Sequence, residues 1–437
     1  MDRRNFLKKS LMATGAGVAA TALPFSADGR TVRQDERITS RLDAEDWIKE
    51  PARRIPLVAS ADVVVIGGGP SGIAAAICAS RQGAKVLLLE RYAYLGGLWL
   101  GGLVLPVLST RGLAPGGERE KVIHGFTSDM YAKMDEMGMI INPKNPTPDP
   151  EACKYMLDRM MEEHNVQVLY HVLACEVSMS GDRVDCVILE TKSGRVAVRG
   201  KVYIDCSGDG DVFAHAGEEY YEMKYHIGAM WRIGGARNLK RGIRTPIEGV
   251  KLLHTRGEEN QDGLDMFNLS RLQINIRKEM WDKTQAVKSE PGGESVFLLE
   301  TPPQLGVRAT RILNAVHNVT LEDSMNYVSY EDSIGMSGGS DTIMYRGRKI
   351  RGSERPYWQI PYRSLTPKKC PNLLAAGRCF GFDEGLVWDA REIGTCFVTG
   401  QAAGTAAGLA VLGRSSVQEV DIQALQKSLT EQNVRLK

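Results

Sequence analysis

No cysteine of this 437-residue chain belongs to a C-x-x-C pair. The eight thiols stand alone at positions 78, 153, 175, 186, 206, 370, 379 and 396, most of them within apolar runs. That scatter excludes a local iron–sulfur or structural zinc motif. It favours buried thiols acting as small hydrophobes over a disulfide framework. Histidine is also sparse, and residues 124, 164, 171, 215, 226, 254 and 317 are spread singly, a pattern that reads as structural and predicts no metal site. Charge of one sign is missing too. Beyond residue 27 there are 51 basic against 52 acidic residues, a net of −1, which gives no footprint for nucleic acid. Aromatics at 7% and charged residues at 25% are ordinary for a globular chain and argue against wholesale disorder. Outside the extreme N-terminus, no 18-residue run reads as both uncharged and apolar enough to predict a membrane span.

The N-terminus itself is distinctive. Met1-Asp2-Arg3-Arg4-Asn5-Phe6-Leu7-Lys8-Lys9 precedes an alanine- and glycine-rich apolar stretch from Leu11 to Leu23. A charged start, a short apolar segment and a small-residue exit read as a secretory signal. The paired arginines followed by Phe-Leu-Lys resemble a twin-arginine signal, which predicts export to the periplasm. Ala20-Thr21-Ala22 and Phe25-Ser26-Ala27 are alternative exits, so residues 1–27 are read as the signal and the polar stretch 28–58 as a linker.

Beyond the linker lies the most informative segment. Ala61-Asp62-Val63-Val64-Val65-Ile66 is an apolar run that ends in Gly67-Gly68-Gly69-Pro70-Ser71-Gly72, and a small-residue helix pattern opens there. A second run, Lys85-Val86-Leu87-Leu88-Leu89, ends on Glu90. Strand, helix, strand and terminal acid are in the register of a dinucleotide-binding βαβ unit. Gly67 permits the tight turn, Gly69 lets backbone approach a pyrophosphate, and Gly72 lets the helix pack closely on the strand. Helix N–H groups then face the phosphates, and Glu90 is placed to accept from a ribose hydroxyl.

Asp149-Pro150-Glu151 predicts a helix start, with an inward stripe of Cys153, Met156, Leu157, Met160 and Met161. Val166 to Tyr170 reads as a short parallel strand. Val172 to Met179, Arg183 to Thr191 and Arg195 to Val198, broken by Ser180-Gly181-Asp182 and Lys192-Ser193-Gly194, read as a small antiparallel meander. Lys201 to Asp205 is a separate buried strand, and Pro371 to Ala376 is the last. A long small-residue helix from about Glu392 to Leu412 carries Gly400, Gly404 and Gly408, a spacing suited to close packing on the helix that starts at Ser71. Arg391, Glu392, Thr399 and Gln401 argue against a membrane role for it. The predicted fold is α/β. A Rossmann-like first part spans 59–219, an inserted substrate lobe 220–365, a second Rossmann-like part 366–415 and a C-terminal tail 416–437.

Together these motifs resemble the FAD-dependent oxidoreductases of the two-dinucleotide-binding-domain type, with the likeness running from about Asp62 to Leu412. The flavoproteins related to the flavin part of heterodisulfide reductase are the nearest likeness. The motifs are Gly67 to Gly72; Glu90-Arg91 leading to Leu95-Gly96-Gly97; Ile204-Asp205-Cys206-Ser207-Gly208-Asp209-Gly210-Asp211; Gln304 to Arg308; Pro361 to Leu365; Ala376-Gly377-Arg378; and Gly400 to Gly404. The resemblance implies FAD. Gly67, Gly69, Pro70, Ser71 and Gly72 would hold the pyrophosphate, with Glu90 and Arg91 on the adenosine ribose side. Gly96, Gly97, Leu98 and Trp99 would run past the flavin. Ser207, Gly208 and the backbone near Ala174 would lie by the adenosine, and Gly377 and Arg378 by the pyrophosphate and ribityl chain. Thr395 would sit where a helix N-terminus faces the flavin's pyrimidine edge.

Related flavoproteins that tether FAD carry a histidine beside the Gly-Gly turn. Leu98 and Trp99 stand there instead, so the expectation is non-covalent FAD. Arg308 and Tyr362, in motifs outside the FAD unit, are the substrate-side candidates. The implied partners are a small-molecule substrate and a separate electron donor or acceptor. Two other readings share the glycine motif: a thiazole-synthase-like enzyme that uses a dinucleotide as substrate, and a non-catalytic flavin-holding electron-transfer subunit.

Overall fold

The computed structural model describes residues 48–140 and 146–437, so the expected signal and most of the linker lie outside the described residues. Strand β1 (Leu57–Ile66) starts two residues before the expected boundary at 59 and leads through the glycine turn into helix α1 (Pro70–Arg81). Strand β2 (Val86–Leu89) then pairs parallel to β1, from Val63 opposite Val86 to Ile66 opposite Leu89. Val63 and Val65 pack on one side of the sheet and Val64 and Ile66 on the other. Both faces are therefore covered, which is why the strand reads as an unbroken apolar run.

Helix α2 (Pro150–Glu163) is capped by Asp149, whose carboxylate accepts from the Glu151 and Ala152 amides at 2.9 and 3.1 Å. The expected stripe from Cys153 to Met161 is buried. Strand β3 (Gln167–Leu169) extends the sheet parallel to β2. Strands β4 (Leu173–Ser180) and β5 (Arg183–Thr191) form the first hairpin of the meander.

The third meander strand and the separate buried strand are one continuous element, β6 (Gly194–Asp205). This corrects the expected break around Gly200. Gly200 stays in the strand because a Cβ there would press on Val64 Cγ2 at 2.9 Å, while its amide donates to the Tyr203 hydroxyl. The glycine marks a close backbone approach rather than a turn. One edge of β6 pairs with β1 along its length; the other pairs with β5 in its first half.

The stretch from 220 to 365 contains a three-stranded and a four-stranded antiparallel sheet. Against them lies helix α3 (Met266–Lys288), which buries Leu272, Ile276, Met280, Thr284 and Val287. With Trp231, Ile233 and Leu253, this stripe forms a hydrophobic cluster separate from the main core.

Strand β7 (Leu373–Ala375) returns to the main sheet and pairs parallel with the second half of β6. Asn372 closes the notch between β5 and β7: its side chain accepts from the Val184 amide and donates to the Val184 and Lys201 carbonyls. The seven strands run β3-β2-β1-β6-β5-β4, with β7 beside β6, in a mixed sheet whose central pairings are parallel.

Helix α4 (Ile393–Gly413) crosses behind this sheet against α1. Over 21 residues it carries no charge, and it is long and apolar enough to cross a membrane by length and composition. That corrects the expectation that no such run exists beyond the N-terminus. Its apolarity serves burial here, since a Cβ on Gly400 or Gly404 would overlap the Ser71 or Ala75 carbonyl oxygen. The expected C-terminal tail is also corrected: helix α5 (Ile422–Glu431) packs into the core through fully buried Leu425 and Leu429.

Candidate functional site

The carboxyl ends of β1, β6 and β7 bring the glycine motifs to one place. Gly67 turns with φ of 99°, and a Cβ there would run into the Cys206 carbonyl. A Cβ on Gly72 would overlap the Gly67 carbonyl oxygen, so the helix could not sit this close to the strand with any other residue. Gly69 differs. Its φ is −72°, which any residue adopts, so conformation does not require glycine there. Nor does protein packing: a Cβ on Gly69 meets only Gly97 Cα, at an ordinary contact distance of 4.0 Å, whereas one on Gly97 would press on Gly69 Cα at 2.9 Å. The two glycines thus meet backbone to backbone, and the Cβ direction of Gly69 opens on a gap at the N-terminus of α1.

Helix geometry leaves the Ser71 and Gly72 amides without intrahelical carbonyls, and the first turn of α1 carries no acidic side chain. The arrangement is a cradle for a negatively charged group. From the opposite side comes Gly377, with φ of 84° and an amide that donates to Thr399 Oγ1 at 3.0 Å; a Cβ there would overlap Ser71 Oγ. Gly96, with φ of 104°, supplies the turn that brings Gly97 into place.

At the end of β2, Glu90 accepts from the Gly68 and Tyr92 amides, each at 2.7 Å. Burial pushes its carboxyl up, against those two hydrogen bonds. Each oxygen retains a lone pair for a further donor. The Val172 amide donates to the Glu90 carbonyl at 3.1 Å, which lays the chain leading to Ala174 along this strand end.

Asp205, at the end of β6, is fully buried and accepts from the Ser207, Val212 and Phe213 amides and from Ser207 Oγ. Ser207 Oγ also accepts from the Asp211 amide, so its hydroxyl shapes the turn. Gly208 lies against Arg378, where a Cβ would meet Nε at 2.8 Å. The Arg378 guanidinium is held by Asp209 at 2.5 Å, and Thr310 also donates to Asp209. The charge of Arg378 is therefore already matched, a role for Asp209 that a simple turn acid would not have. Burial raises the Asp209 carboxyl, but Arg378 and Arg91 outweigh it and hold it below the usual range. Asp211 goes the other way, pushed up to about 6 by burial and by Asp209 and Asp205, although Arg311 is 3.0 Å away.

Two expected site residues, Trp99 and Tyr362, turn their side chains into the core, and the hydroxyl of a third, Thr395, is already committed. Trp99 is buried in the core, donates to the Leu105 carbonyl at 3.1 Å and meets Phe397 edge-on; only Leu98 beside it stays partly exposed. The Thr395 hydroxyl is spent on the Asp389 carbonyl and on Ser337 Oγ. Tyr362 is not on a substrate side: its ring is 3% exposed and its hydroxyl donates to the Val417 carbonyl at 2.6 Å. Sequence pattern places such a tyrosine in a motif but cannot say which way its ring turns.

Arg308 faces a different environment. It follows the lobe strand Gly306–Val307, contacts the His226 ring at Nδ1 and donates to the His226 carbonyl at 3.1 Å. Its guanidinium lies 5.9 Å from the Trp388 ring centre, and Arg391 lies 5.0 Å from the same ring. Trp388 belongs to the short helix Val387–Ala390 that precedes α4, and Tyr225 meets it edge-on. Trp388 and Arg391, which meet Arg308 here, were not among the candidates read from the sequence. Their signal was an aromatic and a cation three residues apart, immediately before an uncharged helix.

The profile of the FAD dependent oxidoreductase family matches residues 62–231 and 228–429. The chain belongs to that family. It is an FAD-dependent oxidoreductase, and the cradle fits FAD: the open space off Gly69 at the N-terminus of α1 would take the pyrophosphate, and Glu90 would accept from the ribose. The thiamine thiazole synthase of Methanococcus vannielii is 24% identical over 202 residues, 43% of this chain and 73% of that protein. Sarcosine oxidase subunit alpha of a Corynebacterium species is 39% identical over 80 residues, 18% of this chain and 8% of that subunit. Among solved structures, a geranylgeranyl bacteriochlorophyll reductase-like protein from Thermoplasma acidophilum aligns with a TM-score of 0.47 at 14% identity, covering 86% of this chain and 84% of that one.

Proposed function

We propose that this FAD-dependent oxidoreductase is an exported enzyme that exchanges a hydride or electrons between a small organic substrate and non-covalently held FAD. The observation that carries the reading is the pair of facing glycines, Gly69 and Gly97, at the unhindered N-terminus of α1. When bound, FAD supplies the redox chemistry. The chain holds its phosphates at α1, its ribose at Glu90, and presents Arg308 from the lobe as the substrate-side cation. The twin-arginine signal and the relation to the flavin part of heterodisulfide reductase belong to this proposal and rest on the sequence motifs.

Two measurements test it. Acid precipitation of the yellow protein is expected to leave all flavin in the supernatant; flavin kept on the denatured pellet overturns non-covalent binding. Anaerobic addition of a library of small organic acids, amines and alcohols is expected to bleach the bound flavin with at least one member. A flavin that no substrate reduces, but that exchanges electrons with a partner protein, would favour the electron-transfer subunit. The match to thiamine thiazole synthase supports a second reading, in which a dinucleotide is consumed. Release of a modified, non-flavin dinucleotide from the purified protein would favour it.

A further inference from the structure

Two arginines share one indole beside the lobe. Arg308 and Arg391 both lie over Trp388, and the Nε of each is buried without a hydrogen-bond partner. Arg308 has no ion-pair partner among the described residues. Its contacts are the His226 ring and carbonyl, with the ring's other nitrogen on the Arg256 carbonyl. Burial and the neighbouring Arg391 pull the Arg308 guanidinium down to about 10, a sign of a cation crowded by its like. The acid nearest Arg391 is the adjoining Glu392, 3.7 Å away and itself buried; Glu259 adds a more distant, exposed carboxylate. Two like charges gathered on one ring, with two buried donors unspent, are matched by an anion placed between them.

We propose that Arg308 and Arg391 together bind the carboxylate of an organic acid substrate, with Trp388 and Tyr225 forming the apolar wall beside it. This deepens the oxidoreductase reading and rests on it. Glu392 offsets part of the charge of Arg391, which leaves a net charge suited to a monoanion such as a carboxylate rather than to a phosphate dianion. A planar carboxylate also matches the fork of a guanidinium better than a spherical anion does. Arg391 immediately precedes α4, near Thr395, where the family resemblance expects the flavin's pyrimidine edge. An acid held there would lie next to the reacting ring.

The test uses the full-length protein purified with its flavin, and flavin content is measured first. A colourless protein defeats the oxidoreductase reading itself, a failure distinct from that of the carboxylate site. Calorimetric titration of flavin-loaded protein with benzoate, benzamide and inorganic phosphate needs no variant. Benzoate is expected to bind at least tenfold more tightly than benzamide, and phosphate more weakly than benzoate. Arg391→Lys and Arg308→Lys keep the positive charge and are each expected to weaken benzoate binding at least fivefold while benzamide binding stays unchanged. Equal affinity for benzoate and benzamide overturns the proposal, as does preference for phosphate or undiminished benzoate binding in both lysine variants.

Discussion

Gly69 shows how a single position carries the cofactor site. Because its φ is −72° and its Cβ direction is empty, Gly69→Val is expected to fold as the parent does while failing to retain FAD. Circular dichroism and flavin absorbance on the same preparation check both halves. A folded variant with full flavin would place the phosphates elsewhere, and an unfolded one would show that the gap is structural. Asp211 gives a second residue-scale prediction. Its carboxyl titrates at about 6 in the fold, above the ordinary value of 3.8. The folded state therefore holds a proton between those values that the unfolded state has lost. This contribution to stability is full below about pH 4 and is lost as pH rises towards 6. Asp211→Asn removes that loss. Relative to the parent it is expected to gain on the order of 3 kcal/mol between pH 4 and pH 7. Urea unfolding at the two pH values measures it, and a parallel pair of curves would contradict the assignment.

Among the elements, the contact of α1 with α4 is the one most open to a single substitution. Alanine in place of a helical glycine ordinarily gains about 1 kcal/mol. At Gly404 the new methyl would overlap the Ala75 carbonyl oxygen, so the helices must part, at a cost of about 1–3 kcal/mol. Gly404→Ala is thus expected to lower the urea midpoint, and Gly413→Ala, with only Ser415 Oγ near at 3.7 Å, to leave it level or raise it. The glycine spacing made this contact legible in the sequence, since repeated glycine in a helix has few other uses. Strand β5 was legible to the residue because turn chemistry bounds it on both sides. Strand β6 was not: Arg199-Gly200-Lys201 looks like a break, and only the close approach to Val64 explains a glycine in mid-strand. Helix α3 lies inside the predicted lobe without having been singled out, although Asp265 caps it and Leu272, Ile276 and Met280 recur every fourth residue; the polar stretches 257–263 and 289–294 on either side mask that period. The phosphate cradle could be read from motifs because its mechanics are backbone mechanics. The orientations of Trp99 and Tyr362 could not, since side-chain direction depends on packing partners far away in sequence.

For the whole molecule, the proposed export rests on Arg3 and Arg4, outside the described residues. Replacing both with lysine keeps the charge and removes the paired planar guanidinium groups. The variant is expected to accumulate as a flavin-loaded precursor in the cytoplasm, and fractionation that finds it exported in normal amounts contradicts the twin-arginine assignment. The connectivity of the sheet bears on how such a precursor is made. The dinucleotide cradle is assembled from two ends of the chain, with Gly67 to Gly97 in the first quarter and Gly377 to Thr399 near the end. During synthesis the early half emerges from the ribosome long before its cover. Ser71 and Ala75 then have no α4 to lie against, and β6 has only one of its two partners along its second half. A prematurely terminated product ending before Gly377 lacks the wall that closes the cradle. Possession of the yellow dinucleotide would then serve as a receipt for complete translation, readable from the colour of the protein before any assay of turnover.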